Sequence, residues 1–204
     1  MTEATGPRYV ALGDSYTIGT SVTQAERWPD QLIARLAATS TPLSLVANLG
    51  VNGFTSRDVI DVELPRLPDL DPEFASLLVG VNDVVQGVPA EQFEGNAARI
   101  LDELLARLPA HRIVVVSTPD YTVTEEGASY GEPDSQRAGI VANNAILGRL
   151  AAERGIAFVD IFELSRRAAS QRELVADDGL HPSGAQYALW VDSIAPVVER
   201  LLDR

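Results

Sequence analysis

The sequence predicts an α/β fold, a three-layer α/β/α sandwich with a central parallel sheet of about five strands. Short apolar runs rich in β-branched residues recur at 9–12, 45–49, 74–79, 113–116 and 156–161, each of strand length and apolar on both faces, as strands covered by two layers must be. Helical spacing of apolar residues occupies the intervals between them. Strand and helix therefore alternate in the order that builds right-handed crossovers and a ligand crevice at the carboxyl ends of the strands. A length of 204 residues at 46% hydrophobic composition suits one well-buried core.

Residues 1–7 read as a flexible N-terminal segment and 8–204 as a single domain. The first strand, 9–12, runs into Gly13-Asp14-Ser15, a turn that leaves the serine just past the strand end. A long connection, 16–27, leads to a helix over 28–38, with Pro29 in the first turn, where a missing N–H costs little. Strand 45–49 passes through a glycine-containing loop into a helix over 56–67, and strand 74–79 through Gly80-Val81-Asn82-Asp83 into a helix over 89–108. Strand 113–116 is followed by a second long connection, 120–134, and a helix over 135–154. After strand 156–161 comes the loop that carries Asp178 and His181, then a final helix over 185–202. Both long connections are expected over the crevice, and loops of that length in compact domains are more often functional than idle.

Composition removes several function classes. A formal charge of -13 and a pI near 4.5 argue against nucleic acid and anionic membrane surfaces, both of which select clustered Lys and Arg. Without cysteine there is no disulfide, thiolate nucleophile or cysteine-ligated metal, and two histidines leave little for a histidine-rich zinc site, so neither metal nor cofactor is expected. The first residues lack the basic and apolar regions of a secretory signal, and no apolar run reaches membrane-spanning length. No stable membrane insertion is expected, and the location is expected to be cytoplasmic, or secreted if a signal has been removed.

The chemistry-bearing residues cluster in the loops. Asp178 and His181, three apart, supply a general base and a carboxylate able to hold its imidazole in one tautomer. Such a base implies a nucleophile, and Ser15 stands where one belongs. Asn82 and Gly53 lie in two further loops that follow strands. Each also has a plainer reading: Ser15 as a turn residue or helix cap, Asn82 as an Asx-turn residue, His181 as a residue leading into the last helix, and Gly50 and Gly53 as loop glycines of positive φ, the reading preferred for Gly50. Competing carboxylates are Asp14 and Asp83, expected to tie down their turns, Asp160 at a strand end, and Asp177, four residues from the histidine. His111 is expected on the solvated surface.

Taken together, Gly13-Asp14-Ser15-Tyr16, Asn48 to Thr55, Gly80-Val81-Asn82-Asp83 and Asp178 to Ser183 closely resemble the four blocks of the SGNH hydrolases, often called GDSL lipases and esterases, over nearly the whole chain. The resemblance implies a flavodoxin-like SGNH fold and a carboxylic ester hydrolase whose nucleophile is Ser15. It further implies oxyanion donors at the Ser15 and Gly53 backbone and the Asn82 side chain, with Asp178 and His181 completing the triad. Small or short-chain acyl esters, split through an acyl-enzyme, are the expected substrates; carbohydrate O-acetyl esters, lysophospholipids and thioesters are the alternatives within the family. A flavodoxin-like binding module is the non-enzymatic alternative, but it leaves the four blocks unexplained and finds no Gly-x-Gly-x-x-Gly or phosphate-loop lysine. The larger α/β-hydrolase fold lacks its Gly-x-Ser-x-Gly elbow here.

Overall fold

The computed structural model describes residues 6–204, so most of the segment 1–7 lies outside the described residues. Five parallel strands, β1 (Arg8–Gly13), β2 (Ser44–Asn48), β3 (Phe74–Leu78), β4 (Ile113–Val116) and β5 (Ala157–Val159), form one sheet in the order β2-β1-β3-β4-β5. The chain steps from β1 outward to β2, then returns past β1 to β3 and continues the other way. This makes the ends of β1 and β3 the topological switch point, where open α/β sheets keep their ligand crevice. The two ends are in register, with Gly13 opposite Leu78.

Alternation along the strands feeds two apolar layers. Tyr9, Ala11, Val114 and Val116 pack with helices α2 (Trp28–Leu36) and α9 (Gly184–Leu202), around the fully buried Trp28 and Trp190. Val10, Leu12, Ile113 and Val115 pack instead with α6 (Ala90–Leu105) and α7 (Pro133–Glu153). Rings the size of Trp28 and Trp190 cover on the order of 200 Å² each, so their burial is worth about 4–6 kcal/mol apiece before entropy is subtracted. No helix among the described residues is long and apolar enough to cross a membrane.

The structure departs from the expected elements in three places. Residues 56–67 do not form one regular helix: α3 (Ser56–Asp58) passes into a π-helical turn, Val59–Glu63, a 3-10 turn, Leu64–Arg66, and α4 (Leu67–Leu70). Pro65 and Pro68 have no N–H to donate, and Leu64 bonds back to the Val59 carbonyl instead of continuing the α ladder. The fifth strand stops at Val159 because the Asp160 carboxylate caps the next turn, accepting from Phe162 N–H at 2.9 Å. Short helices α1 (Ser15–Ile18), α5 (Val81–Val85) and α8 (Phe162–Ser165) occupy stretches read as turns or loops.

Candidate active site

Gly13 ends β1 with a φ of 149°, and a Cβ there would stand 2.1 Å from the Leu78 carbonyl oxygen, so only glycine lets β1 turn this close to β3. Asp14 follows as the N-cap of α1, its Oδ1 accepting the Tyr16 N–H at 3.0 Å. Ser15 is therefore the first residue of a helix, not a residue of a free turn. Its N–H is left without an intrahelical acceptor, as at any first helical position. Burial pushes the Asp14 carboxyl up to about 8, and burial pushes that of Glu63 to about 9 although Glu63 accepts the Gly13 N–H at 3.0 Å. Two acids behind the serine thus hold their protons near neutrality.

The second wall comes from the loop after β2. Asn48 pins it to α1, donating to the Thr17 carbonyl at 2.7 Å and accepting the Gly50 N–H at 3.1 Å. Gly50 does not have positive φ, contrary to the sequence reading; a Cβ there would meet the Asp14 carbonyl oxygen and Ile18 nitrogen at 2.7 Å each, so close approach to α1 is what demands glycine. Gly53 does hold positive φ, 82°, inside a turn closed by Phe54 N–H to the Val51 carbonyl at 3.2 Å. Asn82 lies in the first turn of α5, not in an Asx turn, and gives one amide hydrogen to the Phe54 carbonyl at 2.9 Å. The other remains for a ligand. Gln86, one turn on, holds the Gly53 carbonyl at 3.0 Å.

The third wall carries Asp178 and His181. His181 Nδ1 meets Asp178 Oδ2 at 2.6 Å, while Asp178 Oδ1 accepts the backbone N–H groups of Leu180 and His181 at 2.9 Å each. Gly179 makes the tight return possible with a φ of 73°. Partial burial raises the Asp178 carboxyl, but hydrogen bonds from Ser21, from those two backbone groups and from the imidazole outweigh it and bring the group down to about 2. Tyr16 and the His181 ring meet edge to face, centroids 5.9 Å apart, and Tyr16 is itself backed by Trp190.

These walls enclose a cavity of about 260 Å³ reached by Ser15, Gly53, Asn82 and His181 together. Ser15 Oγ and the His181 ring face the same space without a hydrogen bond between them, a contact that commonly tightens only with substrate in place. Val81, Val85, Leu180 and the Tyr121 and Tyr130 rings supply an apolar side. The competing carboxylates lie apart from the imidazole. Asp83 accepts the Ser56 N–H at 2.9 Å and the Ser56 hydroxyl, Asp160 accepts the Ser117 hydroxyl at 2.8 Å, and Asp177 is exposed. His111 is half-buried, not fully solvated, in the turn entering β4 at the far end of the sheet. Sequence reasoning missed Ser21, Thr20 and Gln86, which brace the site, because nothing local distinguishes them from ordinary polar loop residues.

A family model, the GDSL-like lipase/acylhydrolase family, matches residues 11–189. The chain belongs to the GDSL-like lipase/acylhydrolase family. It is accordingly a hydrolase, of the carboxylic ester class, with the α/β/α fold of its structural neighbours. Among solved structures, TesA is 22% identical, with a TM-score of 0.74 over 96% of this chain and 99% of that one. A variant of Axe2, an acetyl xylan esterase from Geobacillus stearothermophilus, is 18% identical with a TM-score of 0.75 over 97% of each chain. LAE5, an α/β hydrolase from the metagenome of Lake Arreo, is 20% identical with a TM-score of 0.71 over 97% of each. The Axe2 structures include catalytic mutants in which a serine, an aspartate or a histidine is replaced. No curated protein matches the sequence.

Proposed function

We propose that this GDSL-family hydrolase is a serine esterase for small or short-chain acyl esters, with Ser15 as nucleophile, His181 as general base and Asp178 as the acid that orients it. The observation that carries the reading is the Asp178–His181 pair at 2.6 Å, opening onto the cavity that Ser15, Gly53 and Asn82 also line. Ser15 Oγ attacks the ester carbonyl carbon while its proton passes to His181 Nε2. The carbonyl oxygen, now an oxyanion, accepts from the N–H groups of Ser15 and Gly53 and from Asn82 Nδ2. Collapse expels the alcohol with the proton returned by His181, and a water deprotonated by the same base frees the acid from Ser15. Asp178, ionised down to about pH 2, keeps the ring in the tautomer that leaves Nε2 unprotonated.

The size of the cavity and its apolar side support a short aliphatic acyl group. One observation favours a carbohydrate O-acetylesterase as the second reading: Tyr130, 45% exposed at the cavity, offers a flat aromatic face to a sugar. Hydrolysis of p-nitrophenyl esters of rising chain length, run beside an acetylated sugar, separates the two. Ser15→Ala is expected to lower kcat on the order of 10⁴-fold or more with the fold retained, and an organophosphonate to label Ser15 in the parent chain. Full activity in the mutant, or an adduct on another residue, defeats the assignment.

A further inference from the structure

Two non-glycine residues among those described hold positive φ: Asp71, at 42°, and Ser21, at 65°. Asp71 has a local reason, since it ends α4 as a left-handed cap. Ser21 ends no helix. It lies in the connection from α1 to α2, and its hydroxyl donates to Asp178 Oδ2 at 2.5 Å, the same oxygen that meets His181 Nδ1 at 2.6 Å. Left-handed backbone at a non-glycine residue is costly and persists where the surroundings over-determine it, most often at functional sites. The preceding residue serves the opposite wall, for Thr20 donates its hydroxyl to Asn52 Oδ1, next to Gly53. Two adjacent side chains of one connection therefore brace the acid and the oxyanion loop.

We propose that Ser21 is a positioning residue for the acid–base pair: its strained backbone delivers the hydroxyl to Asp178, fixes Oδ2 against the imidazole and shares with the ring the negative charge on that oxygen. The inference rests on the roles given above to Ser15, His181 and Asp178. A hydroxyl donated to a carboxylate drains charge from it. Deleting the hydroxyl concentrates that charge on the ring, which favours imidazolium, while Asp178 loses one of the two contacts that hold Oδ2 in place. The other ionisable groups around the pair are Tyr16 against the ring, Tyr187 of α9 within the field of Asp178, Asp14 and Arg27, Asp177 beside the acid, and Glu125 and Glu126 next to Gly179. All are unchanged by a substitution at 21.

The test uses Ser21→Gly, which accepts the backbone conformation without strain, and Ser21→Ala, which keeps the strain; both lack the hydroxyl. With folding checked by circular dichroism, two readouts are taken on the full chain. One is kcat/KM against pH on a neutral ester, and the other is NMR titration of the His181 ring, with His111, the other of the two histidines, as internal reference. In both variants the kinetic midpoint and the His181 titration should rise together by about half a pH unit, the His111 titration should stay fixed, and the plateau should fall roughly tenfold. A His181 titration that is unchanged or moves down in Ser21→Gly overturns the proposal. If the parent chain hydrolyses no ester, the esterase reading fails, yet the NMR titration still decides whether Ser21 governs the pair.

Discussion

Asp178 and Asp160 are both loop carboxylates at the end of an apolar run, and their surroundings separate them. Asp178 turns one oxygen to His181 and the other to two backbone N–H groups, whereas Asp160 turns its oxygen to Ser117 and Phe162 and meets no imidazole. Because Asp178 stays ionised down to about pH 2, it presents a full charge to the ring throughout the working range. A nearby carboxylate favours imidazolium, so Asp178→Asn should shift the midpoint of kcat/KM against pH downward. Its plateau should also fall, by roughly 10²- to 10⁴-fold, because an amide can hold the ring in the wrong tautomer. Asp160→Asn should leave both parameters close to those of the parent. Profiles of the three proteins on one neutral ester check this, and a crippled Asp160→Asn beside an intact Asp178→Asn would reassign the acid.

At the scale of elements, the 120–134 connection earns its length at the cavity. It folds into two 3-10 turns, Tyr121–Val123 and Gly127–Tyr130, and the Glu126 N–H bonds to the Gly179 carbonyl at 3.1 Å, tying the loop to the segment that carries Asp178 and His181. Tyr121 is anchored by its hydroxyl to Gln136 at 2.7 Å and meets the Tyr130 ring edge to face, 6.0 Å between centroids. Tyr130 is thus the exposed partner of an anchored ring, and its removal opens the apolar side of the site without touching the Asp178–His181 pair. Tyr130→Ala should raise KM by about five- to thirtyfold for the preferred substrate and leave kcat within about threefold, since truncating an apolar contact removes uniform binding of roughly 1–2 kcal/mol. The series of acyl chain lengths shows where the loss falls: on longer acyl chains if the ring covers the acyl group, on the acetylated sugar if it stacks on the alcohol side. A loss confined to kcat would mean that Tyr130 acts on the chemistry and not on binding.

For the whole molecule, the buried acids set how stability responds to pH. Asp14 Oδ2 and Glu63 Oε1 are buried without a hydrogen-bond partner, and both carboxyls are raised in the folded state, to about 8 and about 9. A group raised on folding contributes stability that is fully present below its unfolded value, near 4, and is lost as pH climbs through the folded value. Asp178 is lowered on folding and acts in the opposite sense, its contribution being lost only as pH falls toward about 2. The two raised acids outweigh it above about pH 4, so the melting temperature should drop by on the order of 20 °C between pH 5 and pH 9. Glu63→Gln keeps an acceptor for the Gly13 N–H, removes one titrating group and should flatten that slope. Thermal melts across the range for both proteins test this, and parallel curves would show that Glu63 does not carry the effect. A charge of -13 adds self-repulsion that also grows with pH, which is why the comparison is between slopes and not between single melting points.

What the sequence determines by itself is what short-range chemistry encodes. Strands appear as apolar runs because burial on both faces leaves no room for alternation, and β4 was legible to the residue. The Asp178–His181 pair was legible because its geometry is a spacing of three closed by a glycine turn. Tertiary structure decides the contacts that strand order creates. With β1 between β2 and β3, the loops after all three converge, which brings Asn82 to the Phe54 carbonyl, Asp83 to Ser56 and Glu63 to Gly13. No periodicity contains that order. Gly50 illustrates the difference: the sequence shows a loop glycine, but the reason for it, the backbone of α1 lying where a Cβ would be, exists only once the loop has docked. Ser21 and Asp178 are 157 residues apart, and one hydrogen bond between them follows from the folding of two loops onto one edge of the sheet, a relation set by packing and by no local pattern.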